Sequence, residues 1–410
     1  MNRWLILVSL GLSYMIYAVL LNSVGTVILQ SILSFSIDKQ SGSILEACKD
    51  LSIAIVSFVT ASYLPRLGYR RAMMLGHALV GGACVLMALQ PSFNMAKLLF
   101  AVIGITFALV KVSVYSSIGL LTSDRQRHAS LMNILEGLFM VGVLAGYWLF
   151  GAFIEPHHPA GLGWVRVYWV LAALCALVVV LLAVSRLDES AAKPHHAMPG
   201  GAFIDMLRLL VKPLTYTFIA SIFMYVLIEQ SLGTWLPTFN NEILHLPTAM
   251  SIQLVSIYAG SLALGRLGAG LVLRRVGWYP LLNACLVAMA ALVILALPLA
   301  AHVHPRADVT WFDAPPVAYL FPLIGLLMAP IYPVLNSVML SALPKDRHAG
   351  MTGLIVVFSA LGGTFGSFLT GMIFAHAGGH DAFYLTLVPM ALILVLLAAF
   401  RRETRRPVAA

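Results

Sequence analysis

The chain has 410 residues, of which 60% are hydrophobic and only 10% carry charge, against about 25% charged in an ordinary soluble protein. So few charges cannot cover a water-soluble surface of this size. A bilayer, with about 30 Å of hydrocarbon crossed by helices of about 20 apolar residues, is the solvent that fits. The net charge of +9 sits mostly in short loops between apolar segments, which membrane topology explains without any nucleic-acid partner.

In chain order, the first apolar stretch runs over 4–32. It is too long for a leader and no small-residue cleavage site follows, so it is expected to be the first span. Eleven more spans are expected at 45–64, 72–90, 96–121, 131–154, 165–186, 213–236, 249–272, 279–302, 315–342, 350–376 and 381–400, punctuated by Pro, Gly and charge clusters. A long polar connection, 187–212, separates two halves, 1–186 and 213–410. With both termini inside, nineteen Lys and Arg residues fall on the inner side and four (Lys39, Lys97, Arg166, Arg306) on the outer. This bias sets the orientation and requires an even number of spans.

Two loops repeat. Leu64-Pro65-Arg66-Leu67-Gly68-Tyr69 after span two matches Leu273-Arg274-Arg275-Val276-Gly277-Trp278 after span eight, and Arg127-His128-Ala129 matches Arg347-His348-Ala349. Each pair lies in equivalent loops of the two halves, as a parallel duplication of six helices would place them.

Ionisable residues inside a span cost roughly 2.5–3.5 kcal/mol each on insertion scales, which makes them the first candidates for function. Span two carries Glu46, Lys49 and Asp50 on one face, as either an internally neutralised cluster or a proton-carrying carboxylate, with Asp50 the deeper. Lys111 lies near the middle of span four, with Tyr115 four residues on along the same face. It is either an anion-binding or coupling group, or half of a structural ion pair. Glu136, near the inner end of span five, is expected to pair with basic residues as a gate. Glu229 in span seven precedes Gly233 and Pro237, which are expected to weaken the helix and open backbone to a cavity. Asn22, Asn133, Gln253, Tyr258, Tyr332 and Asn336 complete the polar candidates, each equally suited to helix–helix glue. Pro330 and Pro333 should bend span ten.

Other chemistries lack their signatures. There is no Gly-x-x-x-x-Gly-Lys-Ser/Thr phosphate loop and no Ser/His/Asp arrangement, so neither ATP hydrolysis, a cofactor nor an enzyme is expected. Cys48, Cys84, Cys175 and Cys285 show no paired spacing, so neither a metal nor a disulfide is expected.

The stretch Ala61-Ser62-Tyr63-Leu64-Pro65-Arg66-Leu67-Gly68-Tyr69-Arg70-Arg71 resembles the loop signature of the major facilitator superfamily, with Ala61 for its first Gly and Pro65 for its Asp. Gly265-Arg266, Gly268, Arg274, Arg275 and Gly277 resemble the second-half copy. The resemblance implies an all-α membrane fold of twelve helices in two pseudo-symmetric six-helix bundles. It also implies a cytoplasmic gate at Arg66, Arg70, Arg71, Glu136, Arg266, Arg274 and Arg275.

A narrower similarity, through Ala329-Pro330-Ile331-Tyr332-Pro333-Val334-Leu335-Asn336-Ser337 and Gly233-Thr234-Trp235-Leu236-Pro237, is to the fucose–proton symporter branch. That branch's acids in spans one and four are missing; Lys111 stands at or beside the second. The expectation is therefore a monomeric secondary transporter of the cell inner membrane. It would take up a small polar solute, with anions among the candidates, coupled to protons. The alternative is proton-driven efflux of drugs or amphipathic compounds, although residues 137–151 lack the Gly-Pro pair of the drug-antiporter branch.

Overall fold

The computed structural model describes residues 3–121, 125–185, 187, 189, 212–306, 309–343 and 348–405. Among them every regular element is helical. The bilayer requires this: without water, each backbone N–H and C=O must find its partner within its own segment. The central connection, apart from Leu187, Glu189 and Lys212, lies outside the described residues.

The chain divides into two compact units, Met1–Ile37 with Ile44–Met198, and Asp38–Ser43 with Pro199–Ala410. The first holds α1 (Arg3–Asn22), α2 (Val24–Phe35), α4 (Ile44–Leu67), α5 (Tyr69–Leu89), α6 (Phe93–Leu121), α7 (Arg125–Ala152) and α8 (Val167–Val184); the short α3 (Lys39–Gly42) belongs to the second. The second continues with α9 (Pro213–Glu242), α10 (Thr248–Gln253), α11 (Val255–Leu273), α12 (Trp278–Ala301), α13 (Val317–Leu320), α14 (Ile324–Met328), α15 (Ile331–Ser341), α16 (His348–His376), α17 (Gly379–Tyr384) and α18 (Leu387–Arg405).

Packing repeats between the units. In the first, α1 packs on α7 and α8, α4 on α6, and α5 on α6 and α8. In the second, α9 packs on α16 and α18, α11 on α14, and α12 on α14 and α18. These are the same pairings six spans later, so the duplication seen in the loops extends to the helix contacts.

Among the described residues, eleven segments are long and apolar enough to cross a bilayer. The expected second span, α4, has 24 residues, about 36 Å at 1.5 Å per residue. It carries Glu46, Lys49 and Asp50. The first span breaks between α1 and α2. There the Asn22 amide donates to the Ala18 carbonyl at 2.9 Å and the Ser23 hydroxyl to the Leu20 carbonyl at 2.8 Å, and such side-chain bonds loosen the backbone ladder.

Two expectations about helix breaks fare differently. Span seven does not break: α9 runs continuously through Gly233 and Pro237 to Glu242. Pro237 lies in the last two turns, and the Tyr258 ring packs against Gly233, where a Cβ would come within 3.3 Å of it. Span ten does break, with Ala329 and Pro330 between α14 and α15, and again at Pro322 in a 3₁₀ turn (Phe321–Leu323). Pro333 sits inside the first turn of α15, where a missing N–H costs little.

Close helix approach depends on two glycines in equivalent pairs. A Cβ on Gly104 of α6 would run into the Lys49 carbonyl oxygen of α4 and come within 2.8 Å of Ser52 Cβ. One on Gly265 of α11 would strike the Leu326 carbonyl oxygen of α14 and come within 2.6 Å of Ala329 Cβ. Both obstacles include main chain, so neither can rotate away. Gly104→Val is expected to destabilise the protein by about 1–3 kcal/mol through overpacking, read as a lower midpoint in detergent thermal unfolding. An unchanged midpoint would contradict this packing.

Candidate functional site

In the first unit, Lys111 is solvent-accessible although it lies far from either end of α6. Its Nζ stands 5.6 Å from the Phe107 ring centre and 5.9 Å from that of Tyr115, one helical turn to either side. Both lie within the range of cation–π attraction. No carboxylate of the described residues lies within 4.0 Å of Nζ. Among the described residues, Lys111 therefore makes no contact ion pair.

Glu136 is also accessible, and its Oε1 accepts a hydrogen bond of 2.6 Å from the Tyr115 hydroxyl; the side chains of Arg125 and Arg127, next to which the gate reading set it, lie outside the described residues. The rise through α7 brings Phe139 to the same region, where Tyr14 of α1 packs edge-on to it at 5.5 Å and tilted against Tyr115 at 6.0 Å. An ammonium, a carboxylate and half-exposed rings therefore share one face. Phe107 and Phe139 went unread in the sequence because an aromatic residue in an apolar helix carries no distinguishing signal; only the four-residue spacing of Phe107 from Lys111 could have marked it.

Glu46, Lys49 and Asp50 are buried together. Lys49 Nζ lies 2.5 Å from Glu46 Oε1 and 3.4 Å from Asp50 Oδ1. One ammonium thus serves two carboxylates. Asn22 lines a narrow crevice with Ser23, Thr26 and Tyr147 and does not join the Lys111 face.

The second unit has its own cluster. Arg266, expected near the inner end of span eight, lies inside α11, eight residues before Arg274. Its guanidinium Nη2 approaches Glu229 Oε1 at 3.9 Å. Around the pair, the Tyr225 and Tyr332 rings lie 5.7 Å apart, Tyr332 and Ser359 share a hydrogen bond of 3.3 Å, and the Tyr258 hydroxyl meets the Met328 sulfur at 3.3 Å. Asn336 lies one turn beyond Tyr332. Gln253 ends α10 and is not brought into this group.

Both members of the Arg266–Glu229 pair are partly exposed, so it should be weak. Arg266→Ala, Glu229→Gln and the double variant are expected to show coupling of roughly 0.2–1 kcal/mol in a thermal-stability cycle; strictly additive losses would mean the pair does not form.

At the remaining gate positions, Arg71, Arg274 and Arg275 are exposed, and the Arg66 side chain lies outside the described residues. Arg70 donates to the Ser185 carbonyl at 2.5 Å. The family loop's Asp is Pro65 here, and a carboxylate arrives from elsewhere. Glu189, just past α8, accepts the backbone N–H groups of Tyr69 at 3.0 Å and Arg70 at 2.8 Å, capping α5. A carboxylate suits the positive end of a helix. Gly68, at φ +85°, makes the turn, and a Cβ there would lie 2.7 Å from Glu189 Oε2. The one signal of this contact along the chain is the acidic Asp188-Glu189 pair directly after Arg186.

The family model described as "Major Facilitator Superfamily" matches residues 6–313. The chain belongs to that superfamily. Among curated proteins, the multidrug efflux pump Tap of Mycolicibacterium fortuitum is 24% identical over 281 residues, covering 67% of this chain and 63% of that protein's length. Among solved structures, a bacterial homolog of the human lysosomal transporter Spinster, inward-facing and unoccupied, superposes with a TM-score of 0.75 at 16% identity, covering 99% of each chain. The E. coli fucose:proton symporter FucP superposes with a TM-score of 0.61 at 14% identity, covering 99% of this chain and all of that one. These superpositions establish the all-α transporter fold that the loop and span-ten motifs implied.

Proposed function

We propose that this superfamily member is a secondary transporter of the cell inner membrane that takes up a small, negatively charged polar solute with protons, by alternating access. One observation carries the reading. Lys111 places an accessible ammonium midway along an apolar helix, with no carboxylate of the described residues within 4.0 Å, at an insertion cost of roughly 2.5–3.5 kcal/mol. A charge held there without a contact ion pair suits a partner that arrives with the solute.

Asp50 and Glu229 are the candidate proton carriers. Each is a carboxylate within a spanning helix beside a cation, Lys49 or Arg266. The inward bias of Lys and Arg places both termini in the cytoplasm, and the chain acts as a monomer.

A second reading, efflux of amphipathic compounds, is supported by the similarity to the Tap pump and by the half-exposed rings around Lys111. The two readings separate in liposomes with an imposed pH gradient, tested against organic acids, sugars and lipophilic cations. Gradient-driven accumulation of an acid supports uptake. Proton exchange with lipophilic cations, and no acid transport, overturns it in favour of efflux.

A further inference from the structure

We infer that the Lys111 face takes an aromatic monocarboxylate that also carries a hydrogen-bond donor. This deepens the proposed function and rests on its assignment of Lys111 to the solute.

Charge comes first. The face offers one ammonium, on Lys111, and one carboxylate, on Glu136, both accessible and more than 4.0 Å apart, with the Tyr115 side chain between them. A solute carboxylate at Lys111 is matched. A second negative group on the solute would meet Glu136 instead, and like charges at close range are repulsive. The face therefore selects a single negative charge.

Hydrogen bonding comes next. Glu136 Oε1 already accepts from the Tyr115 hydroxyl, which commits the hydroxyl proton of that tyrosine. Among the described residues none donates a hydrogen bond to Oε2. A carboxylate oxygen is an acceptor only, so the complementary solute group is a donor, a hydroxyl or an amine, set off from the solute carboxylate by about the width of a ring.

The walls decide the body. Phe107, Tyr115 and Phe139 are half-exposed, and Tyr14 braces the last two from behind. Rings favour offset or edge-to-face contact with another ring. Apart from the two charged groups, the polar atoms of these side chains are the Tyr14 and Tyr115 hydroxyls, which are engaged with one another and with Glu136. A polyhydroxylated body would bring hydroxyls that find no partner on the rings, and each one left unpaired weakens binding. A flat apolar body meets no such penalty.

The test is calorimetric titration of the full-length protein in lipid nanodiscs with four probes: 4-hydroxybenzoate, benzoate, terephthalate and gluconate. The first has the full pattern, and the others lack the donor, add a second charge, or replace the ring by a polyol. The expected order places 4-hydroxybenzoate about tenfold tighter than benzoate, as one hydrogen bond to a charged group implies. Terephthalate and gluconate are expected to bind at least about tenfold more weakly than 4-hydroxybenzoate for the charge and unpaired-hydroxyl costs above. In Glu136→Gln the advantage over benzoate should fall to about threefold or less, since a neutral acceptor makes the weaker bond.

Gluconate or terephthalate binding as tightly as 4-hydroxybenzoate, or an undiminished donor advantage in Glu136→Gln, overturns the inference. If gluconate binds best and Lys111→Gln abolishes it, the aromatic class fails while the proposed function stands. If no acid binds, or Lys111→Gln binds acids as the wild type does, both fail. Lys111→Arg keeps the charge, and its recovery of binding guards against reading a folding defect as a lost contact.

Discussion

Lys111→Ala is expected to reduce solute uptake in liposomes by roughly 10- to 100-fold, the loss implied by removing one hydrogen bond to a charged group. Thermal stability should be unchanged or higher. This combination separates the two roles a lysine can have inside a spanning helix. A lysine in a structural ion pair leaves a stranded carboxylate when truncated, and the protein weakens. Lys111 has ring faces for neighbours and no carboxylate within 4.0 Å among the described residues, so truncation strands nothing and removes an insertion cost of roughly 2.5–3.5 kcal/mol. Lys111→Arg should keep part of the activity, because the charge is retained while the longer planar head displaces the solute group. Full uptake by Lys111→Ala would remove this residue from the solute path, and a large drop in stability with uptake preserved would assign it to structure.

The opposite split is expected at Lys49. Its ammonium is shared by Glu46 and Asp50, all three buried. Lys49→Met is expected to cost about 3–5 kcal/mol, as removal of one member of a buried ion cluster does. The readout is loss of the monodisperse peak in detergent size exclusion and a lowered unfolding midpoint. Combining Lys49→Met with Glu46→Gln and Asp50→Asn should recover most of that loss, since a neutral cluster leaves no unpaired charge to bury. The triple variant also tests coupling. Proton-driven uptake that survives in it would exclude Asp50 as the proton carrier and leave Glu229. Wild-type stability in Lys49→Met alone would show that the two carboxylates do not depend on the ammonium.

Glu136 and Arg266 show where reading by position reaches its limit. Both were assigned to a cytoplasmic gate because they lie near basic loops in the chain. In three dimensions Glu136 bonds to Tyr115, across from α6, and Arg266 lies against Glu229 of α9. A long side chain on a helix reaches several ångströms to a neighbouring helix, and its partner depends on how the two helices are rotated about their axes. Loop proximity does not encode that rotation. The same reasoning covers Glu189, which fills the role of the missing Asp at the start of α5. A cap needs only a carboxylate near two free N–H groups, and it can come from any segment the fold brings there.

By itself the sequence determined the solvent, the order of the apolar spans, and a loop duplication that agrees with the superfamily. These rest on the cost of exposing backbone and charge to hydrocarbon, which every residue of a span feels and which therefore accumulates into a legible pattern. It also picked out Lys111, because one charge amid apolar residues is conspicuous. Only the tertiary structure decided what surrounds that charge: rings from α6, a carboxylate from α7 bound to Tyr115, and no carboxylate of the described residues within 4.0 Å. It likewise decided that Glu46, Lys49 and Asp50 close on one another. Those outcomes turn on a few contacts between helices, each sensitive to shifts of an ångström in packing, and no repeating pattern along the chain records them.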